Sequence, residues 1–330
     1  MAERSKRHHY VPQLHLRAFA CEQARVATFD RRDGGCFVQS VENAAAENHY
    51  NTTRMADGSS SDAAESLISE FEGMWAPALQ LVRDGDWLAD PSTKVHLAHF
   101  LAFQYLRVPR QRSAADRRAT FLTRLELAAA GPRQISNDMG DLGAAPEEAS
   151  VLADSTRNQS LDQLEIQLPT NQHLRSQFGL MQRLALMMEV GYRWSAIRWK
   201  RCSLLTSDDP VVLMPAPDHP RWSSIGFATA GWIQLAIDRH TALLLTNLSD
   251  LEASGRHDAP DRNSRPGTFS LARQLNERTA DQASRFVFHH PDDELTALVG
   301  EDHLLPRTRD RMLETEAMVA MRRKLVAANE

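Results

Sequence analysis

An α+β fold is what the pattern of this 330-residue chain predicts, with helices gathered in the first half and strands in the second. Three observations carry that expectation. Apolar residues recur at helical spacing over Leu67, Ile68, Phe71, Met74 and Trp75, and again between Val95 and Leu106. A strand-rich segment occupies residues 193–246, where runs such as Trp232 to Asp238 and Ala242 to Thr246 read as β. A small hairpin stands near the N-terminus, and helices return toward the C-terminus. Runs of helices followed by runs of strands argue against a wound parallel sheet.

The elements follow in order. Proline drives the residue before it out of the helical region, so Tyr10-Val11 is extended and Pro12 opens a short helix. Arg25 to Asp30 and Cys36 to Ser40 are short strands joined by a loop holding Asp33-Gly34-Gly35, a hairpin signal. Ser40 opens a short helical stretch reaching Glu47. Asp62 caps the next helix, and Pro77 bends or ends it. Asp90-Pro91 starts a helix with Asp as cap and Pro in its first turn. Pro109 interrupts that helix, and a second segment runs to about Ala130.

Residues 131–160 are rich in Gly, Pro, Asp, Glu and Ser. They read as a loop or lid inside one domain, or between two lobes at 1–130 and 161–330. Leu174 to Val190 is helical. Strands are expected at Trp194 to Trp199, Ser203 to Thr206 and Val211 to Met214. Arg256 to Pro266 reads as a polar loop. Phe269 to Arg285 and Arg309 to Ala327 read as helices.

Composition narrows the class. Hydrophobic content of 42% with 25% charged residues is ordinary for a globular protein. A formal charge of −5 gives no global cause to bind nucleic acid or membrane. Cys21, Cys36 and Cys202 are odd in number and far apart, which speaks against a disulfide framework or a cysteine zinc cluster. No apolar h-region follows the basic start and no apolar run is long enough to span a bilayer, so a cytoplasmic location is expected. A glycine-rich phosphate loop and a G-x-S-x-G elbow are both missing.

Polar residues cluster at four places. In Arg7-His8-His9-Tyr10-Val11-Pro12-Gln13, an extended backbone sends His8 and His9 to opposite sides. Either imidazole can act as general base or metal ligand. The plainer account is an exposed basic tail. Glu47, His49 and Tyr50 form a second group, in which a carboxylate can orient an imidazole or complete a metal shell. On the helix after Pro91, His96 and His99 lack the glutamate of a metallopeptidase motif, and His99 reads as a satisfied core histidine. Ser207-Asp208-Asp209-Pro210 offers paired carboxylates at a strand end, suited to Mg²⁺ or Mn²⁺, or else a simple tight turn. His289 and His290 read as a solvent-facing polar turn.

The opening HHYVPQ with Leu14, Leu16, Arg17 and Phe19 resembles the start of the bacterial domain-of-unknown-function 4238 family. Ala45 to Tyr50 (with Glu47 and Asn48), Gln104 to Pro109 and Leu205 to Val212 match further family segments in order, and Asn276 to Phe288 resembles the closing one. The resemblance implies that Gln104, Arg107 and Arg112 belong to a Q-x-x-R-x-P-x-x-R pattern, and that Ser207, Asp208 and Pro210 belong to its SDxP motif. Where the family usually has Asn, this chain has Asp209. The family name implies a shared fold and site and no known activity.

Two functions are open to these residues. One is a metal-assisted hydrolase, most plausibly a nuclease with nucleic acid as substrate. His8 or His9 would then be the general base, with Gln13 and Arg107 in the catalytic set. His9, Glu47, Asp208 and Asp209 would hold Mg, Mn or Zn, and Arg107 would bind the phosphate. Tyr10, Pro12, Asn48, Gln104, Arg112, Ser207 and Pro210 would support them. The other is a non-catalytic binding or sensing protein of a bacterial defence or toxin system, with the same polar groups forming a buried network.

Overall fold

The structure, a computed structural model, describes residues 7–130, 132–141, 145–148, 151, 163–220, 225–256 and 260–305. The chain divides into two compact units, Met1–Gln111 with Thr170–Pro306, and Arg112–Pro169 with Arg307–Glu330. The architecture is α+β. The first unit draws on both sides of the 131–160 stretch and carries the sheets.

Strand β1 (Arg7–His9) leads through Pro12 into a one-turn helix, α1 (Gln13–Leu16). The hairpin forms as expected from β2 (Arg25–Asp30) and β3 (Gly35–Ser40), with Gly34 at φ 75° in the turn. Residues 41–45 are turns, and the stretch expected to be helical ends instead in a strand, β4 (Ala46–Asn48). That strand is too short and polar to announce itself by pattern. It exists because β1 pairs with it, antiparallel, with His8 opposite Glu47. A minimal hairpin, β5 (Thr53–Arg54) with β6 (Ser60–Ser61), follows.

Helix α2 (Ala63–Asp84) runs straight through Pro77 and stops at Gly85, whose φ of 87° supplies the left-handed cap. Trp75, Ala78, Leu79 and Val82 are buried around that proline. Their packing outweighs the one hydrogen bond Pro77 cannot donate. Helix α3 (Pro91–Arg107) starts as read, with Asp90 accepting from the Ser92 amide at 2.8 Å. Helix α4 (Pro109–Ala129) begins immediately after Val108. Within 131–160, residues 132–141 are a helix, α5 (Pro132–Asp141), and most of the remainder lies outside the described residues. In the second unit the segment after it lies along α4. Ile166 donates to Thr120 Oγ1 at 2.9 Å and Leu168 to Asp116 Oδ1 at 3.0 Å.

Helix α6 (Thr170–Gly191) feeds the main sheet. Its strands are β7 (Tyr192–Arg198), β9 (Val212–Pro215), β10 (Ala230–Asp238), β11 (Thr241–Asn247) and β12 (Arg262–Pro266), in the order β12-β7-β11-β10-β9. Every neighbour pair is antiparallel except β12 with β7. The polar stretch read as loop therefore supplies an edge strand at its end. The short helix α7 (Leu248–Ala253) follows β11. Against this sheet pack α2, α3 and α6, with Trp75, Phe100, Phe103, Trp194 and Ile233 in one continuous core. Fully buried side chains of this size each stabilise the fold by roughly 1.5–3 kcal/mol.

A second sheet takes strands from across the chain, in the order β3-β2-β13-β8, where β8 is Thr206–Ser207 and β13 is Phe286–His289. Helix α8 (Phe269–Gln282) precedes β13, and α9 (Leu295–Leu298) follows it. The helix read at Arg309 to Ala327 lies outside the described residues. No helix among the described residues is long and apolar enough to cross a membrane.

Candidate functional site

The motifs read separately in the sequence are stitched together in the first unit. Strand β1 carries the first motif and β4 the second, and the ladder between them joins the two. The third motif comes from α3. Gln104 Nε2 donates to Tyr10 O at 3.1 Å, and Arg107 Nη2 donates to His9 O. Tyr50 then donates its hydroxyl to Arg107 O at 2.7 Å, closing the second motif onto the third. One turn into α1, His15 contacts Thr206 Oγ1 at 3.0 Å, reaching the strand that opens the fourth motif.

Asp208 ends that strand. Its Oδ1 accepts from the Ser284 amide at 2.8 Å, and its Oδ2 accepts from Arg285 at 2.7 Å and Phe286 at 3.0 Å. The chain entering β13 is thereby wrapped around one carboxylate, which is 4% exposed. Burial pushes this carboxyl up to about 7, opposed by the amides and reinforced by the Asp209 charge. Tyr10 lies within electrostatic reach of Asp208 and Glu47, and burial followed by those charges raises its hydroxyl above the ordinary tyrosine value.

Asp209 is also fully buried, with a different partner. Arg110 bonds its Oδ2, while Oδ1 has no hydrogen-bond partner among the described residues. Burial raises this carboxyl and Arg110 opposes the rise. Ser207 Oγ accepts from the Asp209 amide at 3.2 Å. The sequence DDP is thus a bend whose two acids serve separate neighbours.

The two histidines of β1 do point apart. His8 is 1% exposed, and its Nδ1 accepts from the Asn51 amide at 2.9 Å. In the neutral ring that puts the proton on Nε2, which faces Asp62 Oδ1 at 3.9 Å. Glu65 lies 3.9 Å from Nδ1 and accepts from Asn51 Nδ2 at 2.7 Å. His49, at φ 58°, stands edge-on to His8 with ring centroids 6.5 Å apart. On the other side, His9 Nε2 lies 3.4 Å from Val41 O. A carbonyl only accepts, so Nε2 holds the proton and Nδ1 keeps its lone pair. Burial holds His9 below the usual histidine value, with the Arg107 charge acting the same way against the Val41 bond.

Arg107 is 2% exposed and salt-bridged to Glu72 at 2.6 Å, with its guanidinium 5.2 Å from the Phe103 ring centre. Gln13 is partly exposed and accepts from Arg17 at 2.7 Å. Glu47 and Asn48 are exposed on β4. Tyr10, Pro12, Ser207 and Pro210 are buried in the frame. Arg112 belongs to the second unit. His289, read as solvent-facing, is 6% exposed because β13 lies between β2 and β8. His99 is partly buried with Nδ1 2.8 Å from Val95 O, a satisfied histidine.

Four groups were invisible as site members in the sequence. Asp62, Glu65 and Glu72 sit at the cap and on one face of α2 at spacings of three and seven, an acidic stripe that a helical reading of that face would expose. Arg31, 4% exposed, donates from Nη1 to Ala280 O at 2.6 Å and Ala283 O at 2.9 Å. It caps the C-terminal end of α8, and no local pattern announces it. Among the described residues, no group of three or more His, Cys, Asp or Glu is gathered to hold a metal ion.

A model of the family described as "Protein of unknown function (DUF4238)" matches residues 7–293. No curated protein and no solved structure matches the chain.

Proposed function

The chain belongs to the DUF4238 family, and from that premise we propose that it is a non-catalytic binding or sensing protein whose family motifs form a buried frame. The observation that carries this reading is the closure of Asp208. Three backbone amides occupy both of its oxygens, so the best sequence candidate for a metal or substrate carboxylate is engaged in holding β13. Gln104 Nε2 and Arg107 Nη2 likewise donate to the carbonyls of Tyr10 and His9, while Arg107 Nη1 pairs with Glu72. Such long-range side-chain-to-backbone bonds fix a fold, because each leaves a buried polar group unsatisfied when removed.

One observation favours the hydrolase reading instead. His9, held below the usual histidine value partly by the Arg107 charge and with Nε2 turned to Val41 O, is the kind of group that can serve as a general base near a phosphate-binding cation. In that reading nucleic acid is the substrate and a divalent ion (Mg, Mn or Zn) assists. A water held by His9 Nδ1 would be the nucleophile, and the developing negative charge would fall to Arg107.

His9→Ala and Asp208→Ala separate the two. The frame predicts that Asp208→Ala lowers Tm strongly, that His9→Ala lowers it mildly, and that neither variant nor the wild type turns over a phosphodiester. Wild-type turnover lost in His9→Ala at unchanged Tm would establish the hydrolase. Near-stoichiometric metal in chelator-free protein, falling in His9→Ala, would point the same way.

A further inference from the structure

Strand β3 is the outer strand of its sheet, and no strand among the described residues pairs with its outer edge. Its sequence, Gly-Cys-Phe-Val-Gln-Ser, contains no charge and no proline. Phe37 is 45% exposed and Val38 44%, on opposite faces of the strand, with exposed Cys36 beside them. The Val41 amide donates to Ala24 O, which sets the alternation along the hairpin. Phe37 and Gln39 therefore bond to β2, and the N–H and C=O groups of Cys36 and Val38 face outward. The Val38 carbonyl takes a single bond, from Arg25 Nη2 at 3.1 Å, and retains a second lone pair.

We propose that β3 pairs antiparallel with β3 of a second copy of this chain. The outward groups allow a register centred on Phe37. Cys36 and Val38 of one copy exchange hydrogen bonds with Val38 and Cys36 of the other, and the two Phe37 side chains meet across the two-fold axis as a non-hydrogen-bonded pair. An uncharged strand meets itself without like-charge opposition. The ends are complementary as well: the turn carries Arg32 and Asp33, and the far end carries Arg25 and Glu42, all exposed. A two-fold axis brings each turn against the opposite far end, so at each end either copy offers one charge of each sign to the other.

The test is sedimentation of the full chain at concentrations up to about 100 µM, the range in which a small two-strand interface shows itself. The wild type is expected to associate into a dimer, and Phe37→Lys to weaken that association at least about tenfold. Because Phe37 is exposed, this variant should keep its Tm; Val38→Lys serves as the second variant if it does not. In a Cys36→Ser background, Phe37→Cys is expected to give a covalent dimer on oxidation, because residue 37 faces its own copy across the axis. A wild type that stays monomeric throughout overturns the proposal. So does a dimer insensitive to both lysine variants.

Discussion

Adjacent acids with opposite duties sit at residues 208 and 209. Asp208 accepts from three backbone amides, whereas Asp209 is paired to an arginine whose side chain is 38% exposed. Removing Asp208 leaves those amides unsatisfied inside the protein. Asp208→Ala is therefore expected to cost about 3–5 kcal/mol in urea denaturation. Asp209→Asn removes a buried charge and leaves Arg110 able to reach water, so its cost should stay within about 1 kcal/mol.

His15 makes a different prediction at the same scale. It is completely buried, its Nδ1 has no partner among the described residues, and burial followed by the Arg83 charge lowers it to about 3. A group lowered in the folded state stabilises the fold above its unfolded value, and that contribution is lost as pH falls toward the folded value. Between pH 7 and pH 5, His15 should remove about 2 kcal/mol of stability. His9 and His289 are lowered also and act with the same sign. Asp208, raised to about 7, acts oppositely, gaining stability as pH falls. The clean readout is the difference in urea midpoint between wild type and His15→Gln, which should narrow on acidification.

At the scale of elements, β1 has only three residues and is held by its neighbours. The β4 ladder grips one edge, and α3 reaches over it with Gln104 and Arg107. Arg107→Met frees His9 O and leaves Glu72, 21% exposed, without its cation. A cost of about 2–3 kcal/mol is expected, less than for a fully buried pair because water can reach Glu72. Hydrogen exchange is the sharper probe. The Tyr10 amide, bonded to Ala45 O at 3.0 Å, should lose protection in this variant while the core strands β10 and β11 keep theirs. Unaltered Tyr10 protection would mean that the ladder alone holds β1.

For the whole molecule, what could be read from sequence was what local chemistry determines. Helix starts at Asp90-Pro91 and Pro109, the Asp33-Gly34-Gly35 turn and the longer apolar strands of 193–246 are each written in neighbouring residues, and each forms; the strand expected at Ser203 to Thr206 is instead only Thr206–Ser207, made by pairing with β13. Strands β4 and β12 were missed because Ala46–Asn48 and Arg262–Pro266 carry no apolar alternation. A partner strand makes them. The motif residues were visible as unusual polar clusters, but their common task was hidden. Pairing Asp208 with amides at 284–286 spans more than seventy residues, and nothing in a single sequence states that pairing. The carboxylates also looked interchangeable in sequence, and only burial and partners separate exposed Glu47 from Asp208.

The most direct test of the frame is the unfolding free energy of Asp208→Ala, measured by urea denaturation beside an assay for phosphodiester hydrolysis. The account predicts a loss of about 3–5 kcal/mol, with no hydrolysis in either protein. Wild-type stability in the variant, together with a wild-type hydrolytic activity that the variant lacks, would contradict it and make Asp208 part of an active centre.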